Sequence, residues 1–254
     1  MCAMSLQKVR TSGARQVADR LDAAGVSRRV VFDIETAAHD RAAAWVPAVS
    51  APGSYRDPVK IAAYVDRKRQ ELLDRAALDP DLGRIVAIGW WDEATGRTLS
   101  AIAKTERQER YLLRKWWTVA ARAILVGYNC VAFDLPYLLR RSDYLGVPVA
   151  RSFDLHPYRT RGDVVDLMIA LSFGGILQRR SLSFHADRRA LTGPADPITG
   201  ADVPAAVLAN DWSAVKKHVK RDVVITLKLA RAVGVVPPLR RQQKGGRRAT
   251  DSND

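Results

Sequence analysis

Residues 30–37, VVFDIETA, decide how the rest of the sequence is interpreted. The β-branched and aromatic residues predict a buried strand, but two acids interrupt the apolar run. Because successive side chains of a strand point to opposite faces, Asp33 and Glu35 share one face while Phe32 and Ile34 share the other. Two carboxylates this close repel each other and lose hydration on burial. Either the strand runs out into solvent, or a divalent metal ion neutralises the acids.

The composition is that of an ordinary globular protein with an excess of positive charge. Of the 254 residues 47% are hydrophobic and 27% are charged, enough for one large domain or two small ones. Lys and Arg outnumber Asp and Glu by 41 to 27, which gives a formal net charge of +14. This charge favours a polyanionic partner, nucleic acid first, because each neutralised phosphate releases counterions. An anionic membrane and an Arg-rich coding bias are the alternatives.

Nothing in the sequence indicates export, zinc or a membrane. Cys2 and Cys130 cannot build a disulfide framework and lack zinc-ligand spacing. Residues 1–13 have no apolar signal-peptide core, and no apolar run approaches the roughly 20 residues of a membrane helix. We expect an intracellular, soluble, cytoplasmic protein with no membrane association.

Periodicity and turn residues predict one mixed α/β domain over residues 28–236. It follows an N-terminal helical extension, residues 1–27, and precedes a basic, disordered tail, residues 237–254. Residues 38–59 are expected to be irregular, and residues 162–175 mix strand and helix signals. The other strands are predicted at 83–91, 97–104 and 123–129, and the helices at 13–25, 60–78, 106–122, 133–146, 203–208 and 211–233.

A second acid follows the predicted strand that ends at Asn129. Asp134 lies near the start of the next helix, where the helix dipole alone would favour an acid. Asn129 could simply close the loop through side-chain bonds to the backbone. These structural explanations stay open beside a functional one.

A third signal lies in the last predicted helix. His218 and Asp222 are four residues apart, so they lie on the same helix face, beside the buried stripe of Val215 and Val219. An ordinary surface pair would have the same spacing.

Taken together, the three signals provide four carboxylates, each at the edge of an apolar element. Mg²⁺ and Mn²⁺ prefer carboxylate and water oxygens. Two such ions about 4 Å apart can activate a water and stabilise the leaving oxygen of a phosphodiester. The pattern indicates two-metal chemistry rather than zinc.

Three segments resemble the motifs of the DEDD superfamily of 3′–5′ exonucleases. They are FDIET (32–36), GYNCVAFDLPYLLRR (127–141) and HVKRDVVITLKL (218–229). The second is similar to the proofreading domain of B-family DNA polymerases. Residues 77–89 and 164–168, ALDPDLGRIVAIG and VVDLM, resemble stand-alone exonucleases related to that domain. The resemblance implies a ribonuclease H-like fold: a mixed sheet of antiparallel hairpin strands and parallel strands, flanked by helices.

The resemblance also implies roles for individual residues. Two Mg²⁺ or Mn²⁺ ions would be bound by Asp33, Glu35, Asp134 and Asp222. Asn129 and the backbone near Thr36 would help to hold the terminal nucleotide, and Phe133 is also expected to bind substrate. Separately from the resemblance, Lys217 and Arg221, which lie on the last helix with Lys216 and Lys220, are expected to bind phosphates, because electrostatic attraction supplies most sequence-independent affinity. For each of these four basic residues a solvated helix face is the alternative.

His218 departs from the resemblance. Superfamily members with three residues between the third-motif aromatic and the last acid usually have Tyr there, and those with His usually have four. An imidazole with a pKa of about 6.5 can accept a proton from water near neutral pH, which a phenol near 10 cannot. We therefore expect His218 to orient and deprotonate the attacking water; a His that only stacks or donates a hydrogen bond is the alternative.

The activity implied is 3′–5′ hydrolysis of nucleic acid, with single-stranded DNA ends favoured and RNA an open alternative. It would serve proofreading or DNA repair, alone or beside a replication or repair partner protein. A nucleic-acid-binding protein that is inactive on the same fold is the rival interpretation.

Overall fold

The computed structural model describes residues 28–149, 151–158, 163–191 and 198–237. The predicted helix at 13–25 and almost all of the predicted tail lie outside these residues. The division of the chain at residues 27 and 237 therefore stays a prediction.

A five-stranded mixed sheet forms the centre of the described chain. Its order is β3-β2-β1-β4-β5, with β1 antiparallel to β2, β2 antiparallel to β3, and β1, β4 and β5 parallel. The strands are β1 (Arg29–Ala38), β2 (Gly83–Asp92), β3 (Arg97–Ile102), β4 (Ile124–Gly127) and β5 (Val164–Asp166).

Helices flank the sheet and connect its parallel strands. They are α1 (Ala42–Trp45), α2 (Pro58–Asp74), α3 (Glu106–Ala120), α4 (Asp134–Tyr144), α5 (Leu167–Leu171), α6 (Leu182–Asp187), α7 (Val203–Leu208) and α8 (Trp212–Ala232), with 3₁₀ turns at Ala76–Leu78 and Gly200–Asp202. No helix among the described residues is long and apolar enough to cross a bilayer.

The alternation along β1 divides the core into two layers. Phe32 and Ile34 pack on one face of the sheet with apolar residues of α3 and α4. Val31 packs on the other face with Val223 of α8. The predicted opposite orientation of neighbouring β1 side chains is thereby confirmed, as is the ribonuclease H-like mixed sheet flanked by helices.

Two short helices were not predicted, and some boundaries differ. α1 interrupts the stretch expected to be irregular, and α6 follows a Ser181 cap whose hydroxyl accepts from Phe184 N. Neither is long enough to show a helical repeat, which needs about two turns. The predicted strand 97–104 ends at Ile102, and the helix predicted at 60–78 ends at Asp74 before a 3₁₀ turn.

A buried ion pair joins α3 to α4 beneath the sheet. Arg141 donates from Nε and Nη2 to the two carboxylate oxygens of Glu109, at 2.9 and 3.0 Å. Glu109 also accepts from Ile85 N at 2.8 Å, so the carboxylate ties β2 to both helices. The Glu109 side chain is 0% exposed and that of Arg141 is 2% exposed. If either residue were removed, water could not take its place beside the remaining charge.

Candidate active site

Asp33 and Glu35 lie in the centre of β1, on the face that packs against α8. Asp33 pairs with Gly89 of β2, and Glu35 pairs with Ala87. The register shifts directly after Glu35, between Glu35 and Thr36. Such a bulge re-aims the side chains beside it, and bulges are over-represented next to active sites.

Gly89 lets α8 lie directly on the sheet beside Asp33. A Cβ added at Gly89 would lie 2.9 Å from Val223 Cγ2 and 3.0 Å from the backbone oxygen of Val219. Any side chain there would push against the helix backbone, which cannot yield as a flexible side chain can. The glycine therefore sets the distance between β1 and the α8 residues that face it.

Asp134 is held at the start of α4 by a bond to β1. Its carboxylate accepts from Ile34 N at 3.2 Å, and the residue is buried. Burial raises the pKa of Asp134 to about 7, and the charge of Asp166 adds to this, while hydrogen bonds from its own N–H and from Ile34 N act against it. The structure thus places Asp134 against the strand that carries Asp33 and Glu35.

The other three acids all act on the pKa of Asp33. Burial raises it well above its usual value, and the charges of Asp134, Glu35 and Asp222, in that order, raise it further. Three carboxylates from three different elements therefore act on the fourth. This clustering is the electrostatic pattern that a bound cation would relieve.

His218 lies between two of these carboxylates. Its Nε2 is 3.5 Å from Glu35 Oε1 and 3.9 Å from Asp222 Oδ2, and the residue is buried. Arg221 Nη1 is 3.8 Å from Asp222 Oδ1. The imidazole nitrogen Nε2 therefore lies between the carboxylates of β1 and α8.

The residues predicted to bind substrate are distributed over β1, the loop between β4 and α4, and α8. The hydroxyl of Thr36 donates to Ala77 O at 2.6 Å, so this side chain is engaged with the 3₁₀ turn at Ala76–Leu78. Phe133 is half-buried with its ring 5.5 Å from that of Tyr137, and Asn129 has a φ of 60°. Lys217 is exposed on α8, and Arg221 is half-buried there.

Asp166 is a site residue that sequence analysis left without a role. Its carboxylate accepts from Asn129 N and Val131 N, both at 3.0 Å, and from Met168 N and Ile169 N at 2.8 and 3.3 Å. It thus caps α5 and fixes the loop between β4 and α4 that leads to Asp134. The available signal was an acid that closes a short apolar strand before a helix, as in VVDLM.

The chemistry of the donor set fits a hard divalent cation. Across residues 28–149, 151–158, 163–191 and 198–237, no three His, Cys, Asp or Glu side chains form a group already spaced to hold a metal ion. The four acids nevertheless provide oxygen ligands only, and their mutual effect on Asp33 is the repulsion that a cation would offset. Asp33, Glu35, Asp134 and Asp222 are the residues that could hold it.

Comparisons with known proteins identify relatives of this architecture. A family model described as a predicted 3′–5′ exonuclease related to the exonuclease domain of PolB matches residues 77–230. Among solved structures, the family B DNA polymerase of the hyperthermophilic archaeon Pyrobaculum calidifontis matches with a TM-score of 0.53 and 20% identity. The match covers 81% of this chain but 24% of the polymerase. A comparison with curated proteins finds no match.

Proposed function

The chain belongs to the family of predicted 3′–5′ exonucleases related to the exonuclease domain of PolB, and from this we propose that it removes nucleotides from the 3′ end of nucleic acid with two divalent metal ions. DNA is the proposed substrate, and Mg²⁺ or Mn²⁺ the proposed ion. Proofreading or DNA repair beside a partner protein is the proposed setting. The chain's positive charge, +14, supports a nucleic-acid substrate.

The observation that carries the proposal is the set of acids around Asp33. Carboxylates from β1, α4 and α8 raise its pKa together, and acids perturbed by burial and by one another in this way cluster at functional sites. Metal ions held by these acids would activate a water and stabilise the leaving oxygen of the phosphodiester. The chain's own contribution is to hold the donors on three separate elements.

His218 is proposed to take the proton of the attacking water at Nε2. Glu35 Oε1 and Asp222 Oδ2, two of the proposed metal ligands, lie 3.5 and 3.9 Å from that nitrogen, so the imidazole is next to the site where the water would be held. Because the residue is buried, its imidazole is also restricted in orientation. A positioned side chain within reach of the water is what general-base catalysis needs.

Replacing His218 tests this role. His218→Phe is expected to lower kcat by about 10²- to 10⁴-fold, the usual contribution of general acid–base catalysis, and to change the shape of the pH–rate profile. The kcat of His218→Gln is expected to fall as far, because Gln can donate a hydrogen bond but cannot accept the proton of the water. If Gln preserves activity, or if the profile of the Phe variant keeps its shape, His218 only orients its neighbours.

The direct test of the function is digestion of labelled strands. Single-stranded DNA and RNA of one sequence, each labelled at the 5′ end, are incubated with the protein in Mg²⁺, Mn²⁺ or EDTA. A ladder that shortens from the 3′ end of DNA in either ion, and is absent in EDTA, is expected. Asp222→Asn, purified identically, controls for contaminating nucleases.

The other outcomes of this digestion are informative. Faster digestion of RNA would change the substrate, and immediate release of the labelled 5′ nucleotide would change the polarity. Binding of both strands with no cleavage under any ion would identify a nucleic-acid-binding protein on a nuclease fold.

Gly89→Ala is expected to lower activity at least about tenfold, because a displaced α8 misplaces His218 and Asp222 relative to β1. Overpacking of this kind costs about 1–3 kcal/mol of unfolding free energy, measurable by urea denaturation. Gly53→Ala is the matched control, since a Cβ there meets nothing within 4 Å. Equal activity in the two variants would show that the glycine does not set the site.

A further inference from the structure

A second surface lies beside the candidate active site and has no role in the chemistry proposed above. It consists of Tyr158, Phe173, Ile176, Arg179, Arg180 and Phe184, and we call it the aromatic–arginine surface. The four apolar side chains are 57%, 57%, 85% and 43% exposed in sequence order. Single exposed apolar side chains are ordinary, but a group of them marks a binding surface.

The charge around these rings is positive. Between residues 171 and 189 the sequence has four arginines, Arg179, Arg180, Arg188 and Arg189, and a single acid, Asp187. Arg179 lies over the ring of Tyr158 at 5.5 Å, and Arg180 over that of Phe184 at 5.1 Å. Aromatic rings alternating with arginine suit a ligand that has flat apolar faces and negative charge, which are the features of an unpaired nucleic-acid strand.

The backbone that presents this surface has a defined conformation and packs closely. Phe173, Gly174 and Gly175 all have positive φ, at 52°, 71° and 92°. A Cβ added at Gly174 would lie 2.8 Å from Tyr158 O, so this turn packs directly on the backbone that presents Tyr158. Phe173 adopts a left-handed conformation that bulky residues rarely take, and such strain clusters at functional sites.

Its position connects it to the acids. β1, β4 and β5 are parallel, so the residues that follow β4 and β5 lie at one edge of the sheet. Tyr128, next to Asn129, donates its hydroxyl proton to Arg180 O. Lys228 of α8 donates to Leu191 O at 3.2 Å, which places the segment on the α8 side, the side that Asp33 and Glu35 face.

We propose that the aromatic–arginine surface holds the single-stranded nucleic acid that leads to the 3′-terminal nucleotide, by stacking its bases on Tyr158, Phe173 and Phe184. The inference rests on the proposed function and extends it to substrate form, since bases can stack on these rings only when they are unpaired. A paired end would have to be opened before it could reach this surface.

Binding measurements test the proposal without any cleavage. Affinity for 5′-fluorescein-labelled oligothymidylate is measured by fluorescence anisotropy in EDTA. Tyr158→Ser/Phe184→Ser is expected to bind at least about tenfold more weakly, since stacking on each of the two rings contributes about fivefold or more. The matched control is Tyr111→Ser, an arginine-flanked tyrosine that is 71% exposed on α3, on the opposite face of the sheet.

A small substrate separates this inference from the proposed function. The p-nitrophenyl ester of thymidine 5′-monophosphate fills only the terminal-nucleotide position, and the double variant is expected to hydrolyse it in Mn²⁺ at the wild-type rate. Equal loss on both probes would mean damage to the fold and would overturn the inference. If the wild type, supplied with Mn²⁺, cleaves neither the oligothymidylate nor the p-nitrophenyl ester, the proposed function fails. The anisotropy measurement in EDTA still decides whether the surface binds a strand.

Two further results would overturn the inference. One is unchanged affinity in the double variant, or an equal loss in Tyr111→Ser. The other is that Ile176→Glu converts a dimer into a monomer in gel filtration while strand affinity stays the same, which would identify a contact between two copies of the chain.

Discussion

Asp33→Asn is expected to lower exonuclease activity by about three orders of magnitude or more and, at the same time, to stabilise the metal-free protein. Activity falls because an amide cannot replace a carboxylate as a ligand of a hard cation. Stability rises because the Asp33 charge is opposed by burial and by three neighbouring carboxylates. A neutral amide of the same shape removes that repulsion.

The stability gain should depend on pH in a defined direction. The folded-state pKa of Asp33 is raised above the usual 3.8, so between these two values the folded state binds more protons than the unfolded chain. The stability of the wild type therefore declines as the pH rises through that window. Asp33→Asn has no carboxyl at this position, so its stability does not include this decline. The Tm difference between variant and wild type in EDTA should be larger at pH 8 than at pH 4.

Thermal melts and the digestion assay together measure this variant. In EDTA its Tm should exceed that of the wild type by several degrees, and adding Mn²⁺ should raise the wild-type Tm but barely affect the variant. Asp40→Asn, an exposed acid shortly after β1, is the matched control and should change neither quantity. An Asp33→Asn protein that is active, or less stable without metal, would contradict the role given to the four acids.

Arg141→Met should have the largest effect on stability, about 3–5 kcal/mol, because it leaves the Glu109 carboxylate buried without its partner. Urea denaturation measures the loss. The double variant Glu109→Gln/Arg141→Met should recover much of it, since the uncompensated charge is gone and the Gln carbonyl can still accept from Ile85 N.

A neighbouring ion pair is the control for that experiment. Arg140, on the same helix, has its Nε 3.2 Å from Asp81 Oδ1, but both side chains are 52% exposed. Arg140→Met should cost less than about 1 kcal/mol, because water replaces the lost partner. Similar losses at the two positions would mean that burial does not govern the strength of the Arg141 pair.

The tryptophans and the central strand show how far local pattern alone leads. Paired tryptophans suggest base stacking, but Trp90, Trp91, Trp116 and Trp117 are all buried. The exposed rings on the α8 side of the sheet are those of Tyr158, Phe173 and Phe184, and no periodic pattern in the sequence marks them. Exposure depends on which segments cover one another, and sequence periodicity does not report that.

The sequence by itself determined the features that follow from periods of two and of about four residues: that Asp33 and Glu35 share a face of β1, that His218 and Asp222 share a face of α8, and that strands and helices alternate. Only the tertiary structure decided how these faces meet. Gly89 admits α8 to the sheet, Asp166 fixes the loop before Asp134, and Glu109 joins Arg141. The reason is physical: a period is set by bonds between near neighbours, whereas each of these contacts joins residues far apart in the chain and exists only once the layers have packed.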